Sequence, residues 1–231
     1  MEKEQQAGIL RTIQLFSTLT GEELEQVRSK MAVRRFKKNE IILYEEDTNE
    51  FIYMILAGAV KVIQTSEDGK ETILAMHNER DFFGEMTLID GKTVPATVTA
   101  TEDSTISIIA KKDFYSLLYN QNKVLERLLQ ILCHRLRDSW EKIKILTHKD
   151  ASLRIRTLFV MLSNEYGEKT PEGVTLKVKL THQSVADMTG LARETVTRVL
   201  DRWQREGEIS ILKNRYIRLG PDFPQKGLKG V

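Results

Sequence analysis

Apolar residues recur along this chain with changing periods, and each period predicts a different kind of element. Ile9, Ile13 and Phe16 are spaced for a helix, so residues 1 to about 30 read as helical. Thr20-Gly-Glu-Glu23 supplies a capping box for a second short helix through Val27. From about Val33 to Lys112 the period shortens to two. Phe51, Tyr53 and Ile55 alternate with Ile52, Met54 and Leu56, so both faces are apolar and the strand is buried. In VKVIQTSEDGKETILAM two β-rich runs flank Asp68-Gly69, a hairpin turn in which glycine accepts positive φ. ATVTATEDSTISII alternates again, and Gly58, Gly69, Gly84 and Gly91 punctuate short strands. That pattern predicts an antiparallel β-roll or barrel.

From Lys112 to about Lys149 no proline or glycine interrupts, and one long helix is expected. Leu125, Leu129, Leu132, Leu136, Ser139, Ile143 and Leu146 step by alternating fours and threes, a heptad seam with one polar member. Such a stripe can pack on its own domain. Its persistence over three heptads favours a parallel homodimer. After Asp150, SLRIRTLFVMLSNEYG is an amphipathic helix, Pro171-Glu-Gly173 turns the chain, and Val174, Leu176, Val178 and Leu180 alternate as a strand. Thr181 is placed to cap a helix HQSVADMTG, and Gly190 permits a tight turn into GLARETVTRVLDRWQREG. ISILKNRYIRLG reads as two short strands bending at Lys213-Asn214. The whole is an α+β chain: residues 1–112 a β-roll with amino-terminal helices, 113–149 a dimerisation helix, and 150–231 a winged helix-turn-helix.

Composition narrows the function. With 41% apolar and 29% charged residues in 231, the chain has material for real cores and a solvated surface. No apolar run approaches a membrane span, no apolar signal region follows the amino terminus, and Cys133 is the sole cysteine. Cytoplasm is the expected compartment, without a membrane partner. The net charge of +2 is unevenly spread. From His148 onwards 15 Lys and Arg face 10 Asp and Glu, +5, whereas the remainder holds 20 against 23, −3. A positive carboxy-terminal third suits a polyanion.

Double-stranded DNA is the polyanion that the helix within residues 190–207 fits. In a helix-turn-helix the second helix enters the major groove with its first turns nearest the base edges. Arg193 and Arg198 can each offer a fork to guanine, and Glu194 can accept from the cytosine amino group. Val196, Val199, Leu200 and Trp203 then face the core. The competing reading is a solvated face held by charge pairs such as Glu194 with Arg198. Ala192 stands at the N-cap position without a side-chain acceptor, so a DNA phosphate could serve the first amides instead.

These residues carry a resemblance. Arg193-Glu194-Thr195-Val196-x-Arg198, DFFGEMTLIDG at 81–91, and the order of roll, long helix and winged helix together resemble the Crp/Fnr family, that of the cyclic-AMP receptor protein and the fumarate–nitrate regulator. The resemblance covers nearly the whole chain. It implies a homodimeric transcription factor that reads a palindrome of TGTGA-like half-sites. Arg193, Glu194, Thr195, Thr197 and Arg198, with Thr181 and Gln183 from the preceding helix, form the expected DNA-binding set. RNA polymerase is an implied partner, reached through surface loops such as Glu168–Gly173.

The same resemblance places an effector pocket at Gly84, Glu85, Met86, Val94, Pro95, Ala96, Ser139 and Trp140. Family members that bind cyclic nucleotides pair a Gly-Glu contact to the sugar with an Arg-Ser/Thr-Ala run on the phosphate. Gly84-Glu85 is present, but the second run reads Val94-Pro95-Ala96, which lacks the cation and one amide donor. A buried phosphate without its cation is costly, so cyclic AMP in the usual mode is not expected, and Arg80 or Lys92 could replace the arginine only after loop rearrangement. Ser139 and Trp140 fall where relatives contact the nucleotide base. Trp140 either fills the roll–helix interface or stacks on a planar effector. A small-molecule effector, if there is one, is unidentified.

Other chemistries find less support. One cysteine cannot hold an iron–sulfur cluster. For haem, His77 is a lone candidate on a strand, while Cys133 and His134 differ by about 100° in direction on a helix. No metal-ligand spacing, phosphate loop or hydrolase motif appears, so an enzyme is not expected. The alternative to a DNA-binding regulator is a ligand- or redox-sensing module whose winged helix docks a protein.

Overall fold

In the computed structural model, which describes residues 10–69, 71–212 and 216–223, the alternating segments between Val33 and Lys112 form strands. Two units pack separately, Met1–Arg135 and Leu136–Val231. The first contains β1 (Met31–Phe36), β2 (Ile41–Leu43), β3 (Phe51–Ala57), β4 (Ala59–Thr65), β5 (Glu71–Asn78), β6 (Phe82–Phe83), β7 (Thr97–Ala100) and β8 (Ser104–Ala110). They build two antiparallel sheets, ordered β1-β8-β3-β6 and β2-β7-β4-β5. The segment ATVTATEDSTISII is thus two strands in different sheets. β4 and β5 form the expected hairpin, with Gly69 at φ +79°.

The double apolar face of β3 has a structural use. Ile52, Met54 and Leu56 join a cluster with the helices, while Tyr53 and Ile55 join the interior of the roll. Strand β8 divides likewise: Ile109 faces the helical side and Ile106 and Ile108 the roll. One sheet therefore separates two cores.

The helices of this unit depart from the sequence pattern in two places. Ile9 lies outside the described residues, and Ile13 is extended (φ −68°, ψ 124°), followed by a 3-10 turn at Gln14–Phe16. Residues 10–30 are therefore not one helical stretch. Leu10, Ile13, Leu15, Phe16 and Leu19 are all buried in one cluster, more apolar positions than one helical stripe can turn inward. The capping box at Thr20 and Glu23 forms as predicted and opens α1 (Gly21–Arg28). The short α2 (Glu85–Asp90) follows β6.

The long helix expected from Lys112 is two helices, α3 (Lys111–Asn120) and α4 (Asn122–Thr147), separated at Gln121 with φ −130° and ψ 82°. No proline or glycine causes the break. The Asn120 amide donates to the Ser116 carbonyl at 2.7 Å, and the Gln121 carbonyl accepts from Val124 to start the next helix. Side-chain competition for backbone groups is a known weakness of asparagine in helices.

The second unit continues with α5 (Ala151–Tyr166), β9 (Gly167–Thr170), β10 (Gly173–Leu176), α6 (His182–Thr189), α7 (Arg193–Arg205), β11 (Ile209–Ile211) and β12 (Ile217–Leu219). Asp150 caps α5 through Leu153 N. The strand predicted to reach Leu180 ends at Leu176. Val178 and Leu180 are buried outside the sheet, with Lys177 N donating to Tyr166 O. Strand β9, unpredicted, pairs with β10 in a sheet ordered β11-β12-β10-β9. The Lys213-Asn214 bend lies outside the described residues. Phe159, Trp203 and Phe223 centre the core, with Trp203 and Phe223 edge-on at 5.3 Å. Arg156 lies over both rings and bonds the Phe223 carbonyl and Glu208.

Candidate functional site

The recognition-type helix is set by its caps and its apolar stripe. Thr181 caps α6 in a reciprocal box with Ser184. Gly190 ends α6 at φ +65°, a left-handed position that a residue with Cβ rarely adopts. Arg154 donates to the Thr189 and His148 carbonyls, holding the ends of α6 and of the His148 turn; the sequence reading did not single it out. Val196, Val199, Leu200 and Trp203 are buried as predicted. Ala192 makes no side-chain cap bond, so the amides of Arg193 and Glu194 open the helix without one.

Arg193, Glu194 and Arg198 stand exposed on the opposite face. Among the described residues none of the three is held in an ion pair, and Arg198 only approaches Thr195 Oγ1 at 3.5 Å. The solvated face held by a Glu194–Arg198 pair is not what forms. Other members of the expected set are engaged within the protein. Gln183 donates to Asp187 at 2.7 Å, and Thr197 Oγ1 lies 2.8 Å from His182 Nδ1. His182, missed in the sequence, thereby ties the first helix of the pair to the second.

Helix α4 carries two parallel stripes, one residue apart. The predicted seam is uncovered: Leu125, Leu129, Leu136, Ser139, Ile143 and Leu146 are exposed and Leu132 partly buried. The preceding residue of each forms a second stripe, Val124, Leu128, Ile131, Arg135, Asp138, Lys142 and Ile145. Val124, Leu128 and Ile131 are buried in the helical cluster of the first unit. In the second unit Ile145 is buried, and burial lowers the Lys142 pKa from its ordinary value, opposed by Glu165 and Asp138. The helix packs on its own chain with one stripe and leaves the other outside. Its three charged members hid the inner stripe from an apolar count.

Gly84, Glu85 and Val94 of the cassette region pack against protein. Gly84 has φ +85°, and a Cβ there would lie 2.9 Å from the Tyr53 ring, so the chain approaches too closely for any other residue. Glu85, with its side chain only 4% exposed, accepts from Arg135 at 2.7 Å. Arg135 also donates to the Phe82 carbonyl at 2.6 Å and lies over the Phe82 ring at 4.4 Å. Val94 is 2% exposed in the roll interior with Tyr53, Phe83, Ile106 and Ile108, and its backbone pairs with Asp47 and Glu46. Ala96 is buried, while Met86 and Pro95 are exposed. Arg80 and Lys92 are exposed, Arg80 beside Glu79. Trp140 is 60% exposed in the single chain, at a position of α4 beside the seam and off the buried stripe.

His77 stacks on Phe83 at 6.3 Å and lies 3.9 Å from Asp81, whose pKa is raised by burial. Cys133 is exposed. A shallow open depression of about 270 Å³ is lined by residues including Tyr44, Asn49, Phe51 and Tyr53, and Asn49 donates to the carbonyl of the predicted pocket residue Gly84 at 3.1 Å. Among the described residues there is no cluster of metal-ligating side chains, and no helix is long and apolar enough to cross a membrane.

A β-roll, a long helix with an outward apolar stripe and a winged helix-turn-helix make up the architecture of a regulator of transcription. Comparison with known proteins makes the class specific. Residues 33–121 match the cyclic nucleotide-binding domain and residues 123–220 the Crp-like helix-turn-helix domain, meeting at the Gln121 break. The cAMP-activated global transcriptional regulator CRP of Salmonella typhimurium is 30% identical over 193 residues, 83% of this chain and 91% of that one. The global nitrogen regulator of Synechococcus elongatus is 27% identical, covering 86% and 90%. In fold, a CooA variant from Carboxydothermus hydrogenoformans superposes with a TM-score of 0.75 at 22% identity, over 93% and 92%. The chain belongs to the Crp/Fnr family and is a DNA-binding transcriptional regulator, in a family of regulators rather than enzymes.

Proposed function

We propose that the protein acts as a homodimer that reads a palindrome of TGTGA-like half-sites without cyclic AMP in the usual mode. The observation that carries the DNA reading is the exposed trio Arg193, Glu194 and Arg198 on the outer face of α7, held by no ion pair among the described residues. Arg193 and Arg198 take guanine edges and Glu194 a cytosine amino group. Thr195 completes the groove face. Thr181 and Gln183 approach the phosphates from the first helix, and Thr197, tied to His182, sits between them.

The exposed apolar stripe of α4 supports dimerisation, because five exposed apolar residues in register are costly to leave in water. A twofold dimer presents its two recognition helices to half-sites about one DNA turn, ~34 Å, apart. Against cyclic AMP stands Val94, packed into the roll where an arginine would have to meet the phosphate. RNA polymerase is the further partner, and any small-molecule effector has a chemistry other than a cyclic phosphate gripped by an arginine at position 94.

The test is a titration of ligand-free protein against labelled TGTGA-N6-TCACA duplex at fixed salt, with scrambled duplex as competitor. Selective binding unchanged by cyclic AMP is expected. Arg198→Ala should lose about 1–3 kcal/mol and relax preference at one base pair per half-site. Equal affinity for both duplexes, or selectivity that appears only with cyclic AMP, would overturn the proposal.

A further inference from the structure

We infer that in the dimer the partner's Trp140 stacks over Arg135, so that a second copy of the chain closes the Glu85–Arg135–Phe82 cluster. The inference rests on the dimer reading above and follows from register. With Leu129, Leu136 and Ile143 at heptad position a, and Leu125, Leu132, Ser139 and Leu146 at d, Arg135 falls at g and Trp140 at e. In a parallel two-stranded coil the g residue of one helix meets the e residue five positions on in its partner. Arg135 and Trp140 are separated by those five positions, and twofold symmetry makes the contact twice.

The structure prepares both groups. Arg135 is pinned at its tip by Glu85 and the Phe82 carbonyl and lies on the Phe82 ring, while its side chain stays 27% exposed. A guanidinium held flat in this way is preorganised for a second aromatic face. Trp140, 60% exposed on the flank of the seam, is a large apolar ring that the single chain does not cover. The other two g–e pairs of the same register are Leu128 with Cys133 and Lys142 with Thr147, and neither offers a comparable partner for an indole. In an antiparallel pairing g meets g and e meets e, and the contact does not form.

The experiment uses the full chain, its mass measured by sedimentation, with Trp140 emission isolated as the difference between wild type and Trp140→Phe. The other tryptophan, Trp203, is buried and common to both. In the dimer Trp140 should be shielded from acrylamide, and Arg135→Lys, which keeps the charge but loses the planar stack, should expose it. The dimer dissociation constants of Arg135→Lys, Trp140→Leu and the double variant should show coupling of about 10-fold, two cation–π contacts of a few-fold each. A dimer in which Trp140 quenches like a free indole, or whose two substitutions act independently, overturns this inference alone. A monomer overturns the dimer reading with it.

Discussion

Removing Arg135 tests whether the cassette is held by a buried ion pair. Arg135→Met keeps most of the aliphatic stem but strands Glu85, whose side chain is 4% exposed and accepts from Arg135 at 2.7 Å. Breaking a buried pair by deleting one partner costs about 3–5 kcal/mol, because the remaining charge has neither water nor counterion. The lost bond to the Phe82 carbonyl and the stack on its ring belong to the same disruption and should not be added to it. With a urea m-value of about 2 kcal/mol/M, a 4 kcal/mol loss moves the midpoint of the amino-terminal unit down by about 2 M. The assay is urea unfolding by circular dichroism at constant, high protein concentration, so that dimer dissociation does not contribute. Arg135→Met with Glu85→Met should recover most of the loss, since no charge is then stranded. A deficit under about 1 kcal/mol at pH 7, or a double variant no better than the single, would refute the reasoning.

Three further predictions concern the second unit. Ala192→Ser should supply the missing cap of α7 and raise stability by about 1 kcal/mol, read as a higher melting temperature of the carboxy-terminal transition. Gly190→Ala meets nothing closer than Leu146 Cδ2 at 3.7 Å, so its cost should be backbone strain alone, about 1–2 kcal/mol in urea unfolding. Lys142 has its pKa lowered by burial, so the unfolded chain holds the proton more tightly and stability rises with pH as the alkaline range is entered. Lys142→Met should flatten that rise between pH 7 and pH 10 in paired thermal melts, and equal slopes would contradict the burial argument.

The sequence by itself determined what depends on neighbours along the chain. The capping box at Thr20, the N-cap at Thr181, the Asp68-Gly69 hairpin, the turn at Gly190 and the buried face of α7 were all legible, because each follows from local geometry and residue type. The exposure of Arg193, Glu194 and Arg198 was legible as well, since the apolar stripe of the same helix claims its inner face. Tertiary structure alone decided the rest. Whether Arg193, Glu194 and Arg198 pair with one another or remain available depends on rotamers and neighbours. Ile13 leaves the helix because one cluster takes in Leu15 along with its neighbours, and Gln121 breaks the long helix through the Asn120 amide. The inner stripe of α4 was hidden because Arg135, Asp138 and Lys142 look like surface residues until Glu85, Phe82 and Glu165 arrive from distant parts of the chain. Periodicity records which residues are apolar, whereas a charge is buried only when a partner, often dozens of residues away, makes its desolvation tolerable.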